Sequence, residues 1–143
     1  VRVLVTGASG FVGGSLSKGL RQAGYDVICM SRSLPADHLD WDVTWIQGDL
    51  NHGIQYNEPV DYIVHCAAIQ NFQNIPIKDF IELNLEMTKN VADFGRRFSV
   101  GGLMFTSSIS LHGDIPGDTV DENTGRINTN HYGLSKYLCE LVL

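Results

Sequence analysis

The feature that most limits what this chain can become lies in its first 13 residues. Residues 1–6 (VRVLVT) are a β-branched, nearly continuous apolar run, the pattern of a strand buried on both faces of a parallel sheet. The run passes straight into Gly7-Ala8-Ser9-Gly10-Phe11-Val12-Gly13. Leu16 and Leu20 then sit four apart, so the chain turns helical after Gly10 until Gly24 stops it. A buried strand feeding a helix through a glycine-rich turn is the opening unit of a parallel α/β sheet, because parallel strands need a crossover between them.

The remainder of the chain repeats that alternation. Residues 26–31 (DVICMS), 44–47 (TWIQ), 62–67 (YIVHCA) and 102–107 (GLMFTS) read as strands two to five. A long helical pattern covers residues 77–97, and a polar, Gly-containing loop over 113–130 leads into a final helix over 130–143. The segment from Pro35 to Trp41 is too short for a full crossover helix, so a weak helix or a loop is expected there. With no repeat and no internal boundary, the expected fold is α/β, a Rossmann-like doubly wound parallel sheet of strand order 3-2-1-4-5. The first residue is Val1 rather than Met, and the last helical pattern is still running at Leu143. Residues 1–143 are therefore expected to be an incomplete dinucleotide-binding domain, stopping before a sixth strand and a C-terminal substrate domain.

Composition narrows the function classes. A chain 43% hydrophobic and 18% charged is globular rather than disordered or coiled-coil. A net charge of −6 argues against sequence-independent nucleic-acid binding, which needs clustered Lys and Arg. No apolar run approaches the ~18–20 residues that span a bilayer. Cys29, Cys66 and Cys139 are far apart, with no zinc-type spacing, which fits a reducing compartment and a cytoplasmic protein without a metal site.

The glycine spacing carries the first chemical reading. Glycines at the first strand–helix junction let the backbone approach a pyrophosphate, and the helix start offers free N–H groups and a positive dipole end. A Gly-rich turn without a ligand has the same composition, but its position at the first βα junction favours a dinucleotide. A carboxylate about 20 residues later would bind the ribose hydroxyls of NAD. That stretch is instead Met30-Ser31-Arg32-Ser33, with Asp26 at the wrong end of the strand. Arg32, a charged planar fork, with hydroxyls from Ser31 and Ser33, points to NADP rather than NAD.

The second reading lies in the last helix. Tyr132 and Lys136 are spaced i, i+4 and share a face. A tyrosine is a poor base near neutrality, and an ammonium beside it is expected to lower its pKa. Ser108, just past strand five, is placed to orient a substrate hydroxyl or carbonyl. Together these form a proton relay for hydride transfer at a carbinol carbon: Tyr132 as general acid/base, Ser108 as orienter, Lys136 as tuner and ribose clamp. Taken alone, Tyr-x-x-x-Lys is a common pattern of ordinary surface helices.

The order of these segments resembles the extended short-chain dehydrogenase/reductase family, in its NAD(P)-dependent sugar epimerase/dehydratase branch, over the N-terminal half or so of a typical member. Residues 6–13 (TGASGFVG) look like its cofactor turn, and Gly48-Asp49-Leu50 like the segment whose aspartate contacts the adenine amino group. His65-Cys66-Ala67-Ala68 resembles the segment lining the dinucleotide beyond strand four. Asn84 and Thr88 resemble a helical pair whose asparagine props the active-site backbone. Phe105-Thr106-Ser107-Ser108 with Gly113, and Tyr132-Gly133-Leu134-Ser135-Lys136, resemble the serine and tyrosine–lysine segments. The resemblance implies catalysis by Ser108, Tyr132 and Lys136. It implies a dinucleotide bound by Gly7, Ser9, Gly10, Phe11, Val12, Gly13, Ser31, Arg32, Asp49, Leu50, Cys66, Ala67, Ala68, Asn84 and Thr106, with Tyr132 and Lys136.

Two departures refine this. His112 stands where the family most often has tyrosine, and Ile109-Ser110 stand where 4,6-dehydratases carry an Asp-Glu pair. The expectation is a reductase or epimerase of a nucleotide sugar or similar polar carbonyl compound. A non-catalytic dinucleotide sensor on the same fold is the competing reading. His38, His52 and His131 read as surface or loop residues, His65 as a strand-end residue packed near cofactor, Cys66 as an inert thiol, and Asp121-Glu122 as a loop pair as readily solvated as substrate-facing. On the long helix, Phe80, Leu83, Met87, Val91 and Phe94, continued by Ile77, Ile81 and Leu85, form an apolar arc of roughly 200°, against the ~100° that covering a sheet requires. The surplus, with the family resemblance, points to a homodimer through the 77–97 and 130–143 helices.

Overall fold

The computed structural model describes residues 1–70, 74–113, 119–126 and 130–143. Five parallel strands, β1 (Arg2–Thr6), β2 (Asp26–Ser31), β3 (Thr44–Gln47), β4 (Tyr62–His65) and β5 (Gly102–Phe105), form one sheet in the order β3-β2-β1-β4-β5. This is the expected order. Three helices accompany it: α1 (Phe11–Gln22), α2 (Ile77–Phe98) and α3 (His131–Val142). The fourth and fifth strands stop two residues earlier than their apolar runs imply, because Cys66-Ala67 and Thr106-Ser107 leave the ladder to form the rim described below.

Side-chain alternation along the central strands builds two cores, one on each face of the sheet. Leu4, Ile28, Met30, Ile46 and Ile63 point one way and pack with Met87, Val91 and Phe94 of α2. Val3, Val5, Val27, Cys29 and Val64 point the other way and meet Leu16 and Leu20 of α1. The register is regular, with Val3↔Val27, Leu4↔Ile28 and Val5↔Cys29 across β1–β2, and Leu4↔Ile63 and Val5↔Val64 across β1–β4. A strand buried on both faces must be apolar at every position, which is why VRVLVT does not alternate.

The β2–β3 connection is the single 3₁₀ turn His38–Trp41. Its Trp41 ring lies close over Gly14 of α1 and 5.2 Å from the Trp45 ring, so a short connection still covers the outer sheet. The β3–β4 connection also carries only a 3₁₀ turn among its elements, Leu50–His52, which the general alternation did not lead one to expect. Asn90 of α2 donates to the Leu50 carbonyl at 2.7 Å and ties that turn to the long helix.

The inward side of α2 does more than cover the sheet. Asn84 and Thr88 face inward with Phe80, Met87 and Val91, and α3 packs along the same helix through Ser135 and Cys139. One helix thus covers the sheet and seats α3. Ile77 is exposed, and Ile81 and Leu85 are half-buried. Strand β5 lies at the sheet edge with Met104 64% exposed. Among the described residues no helix is long and apolar enough to cross a membrane.

Ile63 sits on β4 beside the central strand, 1% exposed, between β1 and α2. Ile63→Ala in the full-length protein should cost about 2–5 kcal/mol. Denaturant unfolding checks this: the midpoint falls with the slope unchanged.

Candidate active site

The carboxyl ends of all five strands open onto one cleft of about 560 Å³. Its floor begins at Gly7, whose φ of +68° only glycine adopts cheaply. A Cβ on Gly7 would stand 2.7 Å from the Ala67 backbone nitrogen, and one on Gly13 would collide with the Gly7 carbonyl. Gly10 caps α1 without a side chain, and the first turn of α1 carries no acidic residue. The helix start therefore presents its amides and positive dipole end to the cleft with no side chain of its own claiming them. Such a cradle fits a pyrophosphate and excludes any larger residue at its contact points.

Around the rim, β2 ends at Ser31 and is followed by Arg32 and Ser33, all three lining the cleft. The Ser31 hydroxyl donates to the Ser33 carbonyl at 2.7 Å, so it braces the turn instead of offering its proton outward. Arg32 is exposed, and its carbonyl accepts from Gln47 Nε2 at 3.2 Å. Past β3, Asp49 Oδ1 accepts from Asn51 N at 3.0 Å and from Asn51 Nδ2 at 3.2 Å. These bonds, chiefly the backbone one, hold the Asp49 carboxyl below the usual carboxylate range.

The reactive end is built from β4, β5 and α3. Asn130 caps α3 by accepting from Gly133 N at 2.7 Å, a good Ncap geometry, and so sets where Tyr132 and Lys136 emerge. Both line the cleft. Lys136 is 2% exposed; its Nζ donates to the Thr106 carbonyl at 2.7 Å and lies 4.3 Å from the Phe105 ring centroid. Burial pushes its pKa down. The Tyr132 ring centroid is 5.9 Å from the same Nζ. Burial raises the Tyr132 phenol above its ordinary value, against a smaller opposing pull from Gln70. The expected lowering of that pKa by the ammonium is thus corrected: Lys136 directs its charge at the Thr106 carbonyl, and loss of solvent around the phenol dominates.

The serines divide. The Ser108 hydroxyl caps the 3₁₀ turn Ile109–His112 by accepting from Ser110 N at 3.1 Å, and Ser108 is not among the residues lining the cleft. Ser107 lines it, with a buried Oγ that has no hydrogen-bond partner among the described residues. Asn84 also stands behind the wall. Its Oδ1 accepts from Ile69 N at 2.8 Å, and its Nδ2 donates to the Ile69 carbonyl at 3.2 Å and to Ser135 Oγ at 3.3 Å. It props backbone, as the resemblance implies, without facing the cleft.

Every other residue expected to hold the dinucleotide lines the cleft. Sequence reasoning missed Met30, Gly48, Ile69, Gln70, Met87 and Ser107 as lining residues. For Ser107 the sequence carried no signal separating it from Ser108, since both lie past the end of β5. His38, His52 and His131 lie on turns or the surface as expected, and Asp121 accepts from Asn123 N and Thr124 Oγ1 within its own loop. Cys66 lines the cleft with its thiol pKa raised by burial.

A doubly wound parallel sheet with a glycine cradle at its first turn is a dinucleotide-binding fold. The sequence model of the NAD dependent epimerase/dehydratase family matches residues 3–143, and the chain belongs to that family. It is 29% identical to a putative UDP-glucose 4-epimerase of Methanocaldococcus jannaschii, over 96% of this chain and 48% of that protein. It is 31% identical to the N-acetyl-alpha-D-glucosaminyl-diphospho-ditrans,octacis-undecaprenol 4-epimerase of Escherichia coli O157:H7, over 99% of this chain and 42% of that protein. Among solved structures, the UDP-N-acetylglucosamine 4-epimerase of Bacillus cereus superposes with a TM-score of 0.80 at 26% identity, over 99% of this chain and 53% of that one. MoeE5 in complex with UDP-glucose and NAD gives 0.85 at 25% identity, over 99% and 48%. The chain spans about half the length of the curated relatives it matches.

Gly133 decides how α3 meets the serine loop. A Cβ there would collide with the Ser110 carbonyl, which is backbone and cannot swing aside. Gly133→Ala should therefore push α3 off the Ile109–His112 turn and cost about 1–3 kcal/mol. The thermal midpoint should fall, whereas Gly125→Ala, with open space around it, should leave it nearly unchanged.

Proposed function

We propose that these residues form the dinucleotide-binding half of an NAD(P)-dependent epimerase or reductase acting on a nucleotide sugar or a similar polar carbonyl or carbinol compound. One observation carries the reading: the glycine cradle and the Tyr132–Lys136 face open into the same cleft. The cradle residues fit a pyrophosphate, and the relatives similar over nearly the whole chain include a putative UDP-glucose 4-epimerase and a 4-epimerase of a diphospho-linked sugar.

Gly7, Gly10 and Gly13 would hold the pyrophosphate, Asp49 and Leu50 the adenine side, and Ala67, Ala68, Thr106 and Lys136 the ribose–nicotinamide side. The nicotinamide supplies hydride transfer at the substrate carbon. Tyr132 moves the proton at the substrate oxygen. With its pKa raised by burial it is protonated at neutral pH, which suits it to donate to a carbonyl. Loss of that proton in the reverse direction is opposed by the same burial, with the Lys136 ammonium turned to the Thr106 carbonyl and 5.9 Å from the ring centroid. Ser108 is the residue assigned to orient the substrate oxygen, and the Ser107 hydroxyl, which lines the cleft with no hydrogen-bond partner among the described residues, is a second candidate donor. Ile109 and Ser110 offer no carboxylate, so water elimination of the 4,6-dehydratase kind lacks its acid/base pair. The homodimer reading rests on Ile77, Ile81 and Leu85, the part of α2 that this chain leaves exposed or half-buried.

The choice of dinucleotide turns on Arg32. MoeE5 is described with NAD, whereas the end of β2 here bears an exposed guanidinium and no carboxylate. That supports NADP, with Arg32 on the 2′-phosphate. Arg32→Asp in the full-length protein should weaken NADP about 10- to 100-fold, the scale of about 1.5–3 kcal/mol for a charged hydrogen bond, and spare NAD. Calorimetric titration checks it, and unchanged NADP affinity would refute the assignment.

Enzyme and dinucleotide sensor separate at Tyr132. Tyr132→Phe should lower turnover of a UDP-sugar by about 10²–10⁴-fold, the usual worth of general acid–base catalysis, and leave dinucleotide affinity nearly intact. Turnover that survives the change would remove Tyr132 from the chemistry and favour the sensor.

A further inference from the structure

We infer that His65 is a positioning residue, locked as the neutral Nε2–H tautomer by a one-way chain of hydrogen bonds from the glycine turn to α2, and that this lock sets the affinity of the cleft for its dinucleotide. The second half of the inference rests on the dinucleotide reading above; the first does not.

His65 ends β4 and is fully buried. Its Nδ1 lies 2.7 Å from Thr6 Oγ1 and its Nε2 lies 3.2 Å from Thr88 Oγ1. The tautomer follows from counting protons. A threonine hydroxyl has one proton, and that of Thr88 is donated to the Asn84 carbonyl at 3.0 Å. Toward His65, Thr88 can only accept, so Nε2 carries the hydrogen. A neutral imidazole has one N–H, so Nδ1 is bare and accepts from the Thr6 hydroxyl. Thr6 Oγ1 in turn accepts from Ala67 N, at the long distance of 3.5 Å. Every donor points the same way: Ala67 N–H to Thr6, Thr6 to His65, His65 to Thr88, Thr88 to Asn84.

A second proton on His65 would reverse the Thr6 bond and leave its hydroxyl hydrogen without that acceptor. It would also place a cation in a buried site facing the Lys136 ammonium of α3. Burial first, and Lys136 second, push the imidazole down to about 3. Two thiols lie at this junction: Cys139 of α3 donates to the same Asn84 carbonyl at 3.5 Å, and Cys66, the residue after His65, lines the cleft. Phe105 of β5 closes the remaining side, ring to ring at 5.4 Å.

The two ends of the chain give it its consequence. Thr6 immediately precedes Gly7, and Ala67 is the backbone against which Gly7 packs too closely for any side chain. Asn84, at the other end, holds Ile69 and Ser135. The lock therefore joins the floor of the pyrophosphate cradle to the helix that props the reactive end.

Selective ¹³C-histidine NMR on the full chain tests this. These residues include five histidines, and the His65 signal is the one lost in His65→Gln. The wild type should show the Nε2–H signature unchanged from pH 8 to pH 5. A titrating His65, or an Nδ1–H signature, would overturn the lock without any variant. Thr88→Val keeps the side-chain shape and removes the acceptor. It should flip His65 to Nδ1–H, donating to Thr6, and raise the dinucleotide Kd about 10-fold. Thr88→Ser should restore both. A simple packing role would not move the tautomer, so an unflipped signature in Thr88→Val, or a flip with unchanged affinity, would defeat the inference. A wild-type chain that binds neither dinucleotide would instead defeat the proposed function and the affinity half of the inference, while the NMR signature still decides the lock.

Discussion

The close passage of Gly7 against the backbone of Ala67 is the contact on which the rest of the molecule depends. Adjacent parallel strands sit ~4.8 Å apart along their ladder, and Gly7 meets the Ala67 backbone just where β1 and β4 leave it. The Gly7 amide plane lies so near Ala67 that a Cβ would stand 2.7 Å from the Ala67 nitrogen. That approach needs a residue with no side chain and with φ of +68°. Granted it, α1 can start directly after the turn, with Gly13 lying against the Gly7 carbonyl. A larger residue at either position would push strand and helix apart, and the amides at the helix start would no longer face the mouth of the sheet.

From that contact the polar interior becomes intelligible. Burying hydroxyls, an amide and an imidazole between β1, β4 and α2 is costly unless each is hydrogen-bonded. Here Thr6, His65, Thr88 and Asn84 satisfy one another and end on backbone. The same economy governs Lys136, a nearly buried ammonium without a carboxylate partner among the described residues, held by the Thr106 carbonyl and the Phe105 ring. Burial shifts the two members of the Tyr132–Lys136 pair in opposite directions, phenol up and ammonium down, because each is favoured in its neutral form where water is scarce. The site is thus set by desolvation first and by charge proximity second.

Most of the architecture was legible because it rests on local signals. The strands at residues 26–31 and 44–47 and the helix after Gly10 were placed within a residue or two, since buried parallel strands and glycine punctuation leave plain patterns. The short β2–β3 connection was legible from its length alone. The helix-free path from β3 to β4 was not, because its compactness depends on Leu50 entering the core and Asn90 reaching across from α2. The apolar arc on α2 is wider than a sheet alone requires, and Ile77, Ile81 and Leu85 are left exposed or half-buried. Its use was not legible, because the inward-facing Asn84 and Thr88 look like interruptions of an apolar stripe until α3 and His65 are seen against them.

The candidate site divides along the same line. By itself the sequence determined the glycine cradle, the shared face of Tyr132 and Lys136, and the basic end of β2, because each depends on backbone conformation or spacing within a single element. Only the tertiary structure decided which of Ser107 and Ser108 lines the cleft, that Asn84 stands behind its wall, that Lys136 turns to the Thr106 carbonyl, and that His65 lies between the Thr6 and Thr88 hydroxyls. These are matters of hydrogen bonding and desolvation among residues up to 61 positions apart in the chain. Such quantities have no meaning until the sheet has brought those residues together.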